Sequence, residues 1–332
     1  MSGAPPDPVP GLLAPPPDPA AERFTRALLD IVSLDQLRAV LLFGSHMVQA
    51  TPDRYSAYDL VVVVESYRSF YDALSRARLS HRSPAMQASL NRVLAPNVIA
   101  LAPEGWDGGP VAKIMVIEPA ALERALSPDS PDHFMKGRLV QKVALLHARD
   151  VASGRWAGAL LERARAGVLE WTGPSLPERF TPGEAALQML RTSYAGEVRP
   201  EAGNRVVDVF EAQRPFLEQM MGRVLEAAEA RGELTKEGET YRFVRAPGGV
   251  QHGRVRRYFR RSKLRATARW LKHVVTFDNW LDYIARKVER RTGMRVEITP
   301  WERRLPLILL WPKVFRVLRA RPARLERARG ER

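Results

Sequence analysis

The chain has 332 residues, 52 Lys+Arg against 37 Asp+Glu for a formal charge of +15, and a 45% hydrophobic content. That length accommodates two modest domains with tails, and the apolar fraction suffices for a buried core, which excludes wholesale disorder and a multi-span membrane protein. Cysteine is absent, which excludes disulfide scaffolds, thiolate zinc sites and cysteine nucleophiles.

Met1 to Ala20 are Pro-rich and lack both a basic n-region and an apolar h-region. They read as neither a signal nor a transit peptide but as a disordered tail, taken to end at residue 22. Phe24, Ala27, Leu28 and Ile31, then Leu34 and Leu37, follow at helical spacing and lead into Ala39-Val-Leu-Leu-Phe43, a short buried strand. Gly44-Ser45 closes that strand. After a loop, Asp59 opens the continuous apolar run Leu60-Val-Val-Val-Val64, the signature of an interior strand. Further strands are expected at Asn97 to Leu101 and at Val111 to Ile117, the second carrying Lys113.

A strand ending in Gly-Ser, followed by a strand opened by an acid, is similar to the nucleotidyltransferase superfold. There the Gly-Ser cradles a triphosphate with backbone N–H groups and a hydroxyl, and carboxylates on the next strand hold Mg²⁺. The usual pattern has two acids separated by one residue, and here the first position is Ala57. A second carboxylate would come from elsewhere, with Glu65, Asp107 and Glu118 as candidates. An ordinary turn before an apolar strand is the alternative to the whole motif.

Val206, Val209, Phe210, Leu217, Met220, Met221, Val224 and Leu225 mark a helical stretch that Pro215 kinks or divides. Glu233 to Val244 reads as a hairpin turning at Glu237-Gly238. Helices followed by a small hairpin suggest a winged-helix-like module, structural rather than DNA-binding because this stretch is not basic. The six histidines show no pair at metal-ligand spacing, so zinc is not expected.

The charge is concentrated at the end. Residues 254–332 hold 24 Lys+Arg and 7 Asp+Glu, leaving 28 against 30 for the rest. Such asymmetry points to an anionic partner, nucleic acid or acidic lipid, with a solvated Arg-rich surface (44 Arg to 8 Lys) as the alternative. From Arg269 to Arg291, Trp270, Leu271, Val274, Phe277, Trp280, Leu281, Ile284 and Val288 fall on one helical face. Beyond Pro300, Trp301 and Trp311 flank an apolar run far shorter than the roughly 20 residues of a spanning helix. Arg303, Arg304, Lys313 and Arg316 lie beside it. This suits a segment lying in a membrane interface, or a small helix docked on the body. Nucleic acid is not expected, because the aromatics share the apolar stripe instead of alternating with the bases.

Beyond Gly44-Ser45 and Asp59, four segments in order carry a resemblance: Arg92-Val-Leu-Ala-Pro-Asn97-Val-Ile99; Ala112-Lys113-Ile-Met-Val-Ile117; Phe134-Met-Lys-Gly137-Arg138-Leu139-Val-Gln-Lys-Val143; and Leu190-Arg-Thr-Ser193-Tyr194-Ala-Gly196-Glu197-Val-Arg199. Over roughly residues 40 to 220, with a fainter likeness from Ser262-Lys263 to Thr276, the chain resembles the mitochondrial translocator assembly and maintenance family of phosphatidate cytidylyltransferases. The resemblance implies an α+β chain: a nucleotidyltransferase (polymerase-beta-like) domain at 23–155, a helical, winged-helix-like domain at 156–252, and a basic amphipathic membrane-surface segment at 253–332. The implied reaction joins CTP to phosphatidate, giving CDP-diacylglycerol and pyrophosphate, with Mg²⁺ as cofactor. The implied setting is the cytoplasm, peripheral on the inner face of an anionic membrane, with no transmembrane helix.

By the same resemblance, Gly44 and Ser45 hold the triphosphate, Asp59 holds Mg²⁺, and Lys113 and Arg138 meet nucleotide phosphates. Tyr194 and Arg199 lie at the domain interface or the lipid phosphate. Departures from the family pattern are His46 in place of the loop's third glycine, Glu197 for Asp, a shifted Gln-Lys, and a shortened loop bearing Trp106. They leave open a second reading, a degenerate nucleotidyltransferase-fold protein that binds acidic membranes without catalysis.

Overall fold

The computed structural model describes residues 9–48, 56–102, 109–196, 205–276, 298–299 and 301–302. Its front part runs α1 (Pro19–Ile31), β1 (Leu37–Phe43), α2 (Ser45–Val48), β2 (Tyr58–Val64), α3 (Tyr67–Arg76), α4 (Pro84–Val93), β3 (Asn97–Leu101), β4 (Ala112–Ile117), α5 (Pro119–Leu126), α6 (Lys136–Leu139) and β5 (Ala144–Ala148). The rest runs α7 (Val151–Ala166), α8 (Leu169–Thr172), β6 (Arg179–Phe180), α9 (Pro182–Ala195), α10 (Arg205–Glu211), α11 (Arg214–Ala230), β7 (Leu234–Glu237), β8 (Thr240–Phe243) and α12 (Gly249–Thr276). The chain is therefore a mixed α+β protein.

Five strands form a mixed sheet in the order β3-β4-β2-β1-β5. β1 is antiparallel to β2 and β5, β2 is parallel to β4, and β3 is antiparallel to β4. Both faces are covered, which is why the β2 run is apolar without alternation. Leu60, Val62 and Val64 pack with Phe24 and Leu28 of α1 and Phe70 and Tyr71 of α3. Val61 and Val63 face the other way, into a core shared with α5, α7, α9 and α11. Each such fully buried side chain contributes about 1.5–3 kcal/mol.

Residues 9–22 correct the expectation of a disordered tail. Leu13 bridges Ala144 of β5, and Asp18 caps α1 while accepting a hydrogen bond from the Tyr58 hydroxyl. Gly11 and Pro10 lie against α7 so closely that a Cβ at Gly158 would stand 2.1 Å from the Pro10 carbonyl oxygen. Pro-rich composition here gives an extended strap with its own contacts. The expected domain boundaries at 155/156 and 252/253 both fall inside helices, α7 and α12. One apolar core runs from the sheet into the helices behind it.

The helical stretch divides where Pro215 predicts, α10 ending at Glu211 and α11 beginning at Arg214 with the proline in its first turn. The hairpin β7–β8 turns at Gly238 with φ +63° and is joined by β6 into a three-stranded sheet. None of the described helices is long and apolar enough to cross a membrane.

Candidate functional site

β1 and β2 are antiparallel, so the end of one lies against the start of the other, and Phe43 pairs with Asp59. β4 runs parallel to β2 with Lys113 level with Asp59. By strand alternation both side chains point to the face of Val61 and Met115, away from α1 and α3. There Lys113 Nζ is 3.5 Å from Asp59 Oδ1, in an ion pair whose side chains are 30% and 26% exposed. A pair this wet is worth about 0–1 kcal/mol, so an incoming anion displaces the lysine cheaply.

Gly44 makes the turn out of β1 at φ +80°, the left-handed region that favours glycine. A Cβ there would stand 2.6 Å from Asp59 Oδ2. Absence of a side chain thus lets the backbone of the turn and the carboxylate sit against each other. Ser45 begins α2, and its hydroxyl lies 2.7 Å from that of Ser56. His46, which replaces the loop's third glycine, stacks on Tyr58 with ring centroids 3.6 Å apart and places Nε2 3.1 Å from the Ser56 carbonyl. Tyr58 points to the opposite sheet face from Asp59, so the imidazole is turned from the carboxylate.

The candidates for a second carboxylate do not reach Asp59. Glu65 follows the far end of β2, roughly 20 Å away by strand rise, where Arg38 and Arg149 hold it at 2.7 Å each. Glu118 follows the far end of β4 and accepts from the backbone N–H of Tyr67. Asp107 and Trp106 lie outside the described residues, as do Glu197 and Arg199. Among the described residues no group of three or more His, Asp or Glu is arranged to hold a metal ion. The donors present, the Asp59 carboxylate against the Gly44 turn and the Ser45 hydroxyl one residue further on, fit Mg²⁺ arriving with phosphates, since Mg²⁺ keeps water and takes only one or two protein carboxylates. They do not fit a dedicated metal cage.

Arg138, on α6, donates to the Phe134 carbonyl at 2.6 Å and lies over the Phe134 ring, 3.9 Å from its centroid. Arg269 of α12 lies 4.2 Å from the same centroid. Tyr194 packs on the main core from α9, and the adjacent Ser193 lies 2.9 Å from Nε2 of the fully buried His133. The backbone N–H of His133 donates to the Ser262 hydroxyl at 3.0 Å, and its ring packs edge-on to Trp171 at 4.5 Å. The Ser-Tyr segment therefore acts as a tie between α9, the loop before α6, and α12.

The contribution of α12 was missed from sequence. Its buried face is polar: Ser262, Arg269, Lys272 and Thr276. Arg269 Nη2 donates to Asp132 Oδ2 at 3.0 Å and to the Ala95 carbonyl at 2.8 Å. Lys272 donates to the carbonyls of Leu94 and Pro96. Three successive carbonyls of the loop entering β3 are thus held by two cations of one helix. Burial alone would raise the Asp132 pKa, but the charge of Arg269 and bonds from Arg265 and Arg269 hold it below the ordinary carboxylate range. Burial, then Arg269 and Arg265, push Lys272 down to about 7. The outer face carries Arg256, Arg257, Arg260 and Lys263 with Leu264, Trp270 and Leu271, all exposed. The fainter Ser262–Thr276 likeness, the basic excess and the apolar face read from Arg269 onward all fell on this helix, and none of them announced its polar buried side.

No protein-family model matches the chain, and no curated protein matches it.

Proposed function

We propose that the chain is a nucleotidyltransferase that works at an anionic membrane surface as a CTP:phosphatidate cytidylyltransferase. The observation that carries the reading is the pairing of Asp59 with Lys113 on one sheet face, against a left-handed glycine turn that leaves room beside the carboxylate. Gly44 and Ser45 hold the triphosphate, and Lys113 leaves its weak ion pair to meet a nucleotide phosphate, with Arg138 adding charge from α6. Asp59 would hold Mg²⁺, which supplies neutralisation of the charge that builds as the phosphoanhydride breaks. An oxygen of the acceptor's phosphomonoester attacks the α-phosphorus of CTP, the new P–O–P bond forms, the α–β anhydride bond breaks, and pyrophosphate leaves in line. No proton transfer is needed, because the nucleophile is already anionic.

The membrane part of the reading is supported by α12, which carries nine Lys/Arg and no Asp or Glu and turns Trp270, Leu271 and Leu264 outward among its cations. This is the composition that anionic headgroups attract, and it supports a peripheral position, read here as on the cytoplasmic face. The front sheet with its helical partner is read as the nucleotidyltransferase and winged-helix-like pair of the resembled family. The single carboxylate favours one other reading, a non-catalytic relative that retains only membrane binding. Purified protein with Mg²⁺, phosphatidate in anionic vesicles and CTP, UTP, ATP or GTP separates them: pyrophosphate release with CTP alone, lost in Asp59→Ala, supports the enzyme. Vesicle binding with no release from any nucleotide supports the relative.

A further inference from the structure

His273 stands on the inner face of α12 with its Nε2 buried and without a hydrogen-bond partner. Lys272 precedes it, Arg269 lies one turn before, and two further cations come from other elements. Arg138 shares the Phe134 ring with Arg269, and Lys113 is register-paired with Ala100 of β3, the strand against which α12 packs. Within Arg269, which is 1% exposed, Nε and Nη1 also lack partners, since Nη2 alone serves Asp132 and Ala95. Among the described residues, the acids bonded to these cations are Asp132, held by Arg265 and Arg269, and Asp59, paired with Lys113. Burial first, and then the charges of Lys272, Lys113, Arg269 and Arg138, push the His273 pKa down to about 3. Buried polar and charged groups are ordinarily hydrogen-bonded, and among the described residues Nε and Nη1 of Arg269 and Nε2 of His273 have no such partner.

We propose that His273 and the Nε and Nη1 groups of Arg269, with Lys272 beside them, form a binding site for a phosphate dianion next to the nucleotide-phosphate groups Lys113 and Arg138, and that it receives the acceptor's phosphomonoester near Asp59. This rests on the nucleotidyl-transfer reading for its purpose but not for its existence. It makes α12 two-sided: the outer face meets the headgroup layer while the inner face takes the headgroup phosphate. Specificity follows from charge, because a monoester presents two negative charges to the cluster and a diester lipid one.

The test uses the full chain without nucleotide or Mg²⁺, with inorganic phosphate, short-chain phosphatidate and short-chain phosphatidylcholine as probes. Calorimetric affinity and melting temperature are the readouts. Phosphate and phosphatidate bind and raise the melting temperature, and phosphatidylcholine does neither. His273→Glu supplies the missing anion in place, so it melts above the parent without ligand and binds phosphatidate about tenfold or more weakly. A merely structural histidine would give a variant that melts lower. Phosphatidate binding tighter than phosphate assigns the lipid as the source, while equal affinities assign the phosphate group alone. CTP displacing phosphatidate would assign the pocket to a nucleotide phosphate and overturn the acceptor role. Absence of binding by both phosphate and phosphatidate, or unchanged affinity in His273→Glu, overturns the proposal. Should the glutamate variant not fold, the His273 imidazole resonances decide, since phosphate shifts them if the site exists and leaves them unmoved if it does not. Binding without turnover would remove the enzymatic reading and leave the site standing.

Discussion

Gly44 and Asp59 have to be considered together, because the space taken by one would be a side chain on the other. With φ at +80° and only 2.6 Å between a Cβ added at this position and Asp59 Oδ2, Gly44→Ala costs stability twice, through left-handed backbone strain and through displacement of the carboxylate. We expect a loss of about 1–3 kcal/mol in urea unfolding, together with turnover reduced well beyond what the remaining folded fraction explains. Turnover intact in a destabilised variant would mean that the turn serves the fold alone. Both residues were legible in the sequence, since a strand that ends in Gly-Ser and a strand opened by an acid are local patterns. His46 was legible as a departure, but where its ring lies was not. Its stacking on Tyr58 depends on which sheet face each residue takes, which spacing along the chain does not reveal. The partners of Asp59 were half legible: Lys113 follows from the family resemblance, whereas Glu65 and Glu118, candidates by sequence, sit at the far strand ends.

At the scale of elements, α12 departs furthest from its sequence pattern. Apolar periodicity normally marks the buried side of a helix, yet here Trp270 and Leu271 are exposed and the buried side is Ser262, Arg269 and Lys272. The reason lies in what α12 packs against, namely three backbone carbonyls of residues 94–96 and the Asp132 carboxylate, all of which want donors. Those acceptors come from segments more than a hundred residues away, so no local pattern announces them. Lys272 gives this packing a pH signature. Its ammonium is pushed down to about 7 by burial and by Arg269 and Arg265, so between that value and the ordinary lysine value the unfolded chain holds a proton the folded chain does not. Stability must therefore rise with pH across this window, on the order of 3–5 kcal/mol in full, with the burial cost fully present below it. Lys272→Met is expected to flatten that rise while remaining less stable at pH 10, because the carbonyls of Leu94 and Pro96 lose their donor. Urea titrations at several pH values measure it. A rise of the same size in the variant would assign it to another group.

Over the whole molecule, α1, the strands β1 to β4, the β7–β8 hairpin and the Pro215 break were legible because each is encoded within a dozen or so residues. Domain boundaries were not, because α7 and α12 run through the expected breaks and a single apolar core joins the two halves. The tail was misread because composition reports what a Pro-rich segment cannot form, not what β5 and α7 offer it to lie on. The basic excess was legible in amount but not in arrangement, which needed the two faces of α12. Reversing the outer face, with Arg256, Arg257, Arg260 and Lys263 all changed to Glu, is expected to weaken cosedimentation with anionic vesicles by tenfold or more, at about 1 kcal/mol per cation. Melting temperature should stay close to the parent's, since these side chains are exposed; retained vesicle binding would assign the membrane contact to another part of the chain. The central claim is that Asp59 and Lys113 support transfer of a cytidylyl group to a lipid phosphate. Its most direct measurement supplies CTP labelled at the α-phosphate, with Mg²⁺ and phosphatidate vesicles, and follows label into the organic-solvent-soluble lipid. The account predicts labelled lipid from the parent protein and none from Asp59→Ala or Lys113→Ala at equal folded concentration. Label that never leaves the aqueous phase with the parent protein, or that reaches lipid equally with Asp59→Ala, would contradict it.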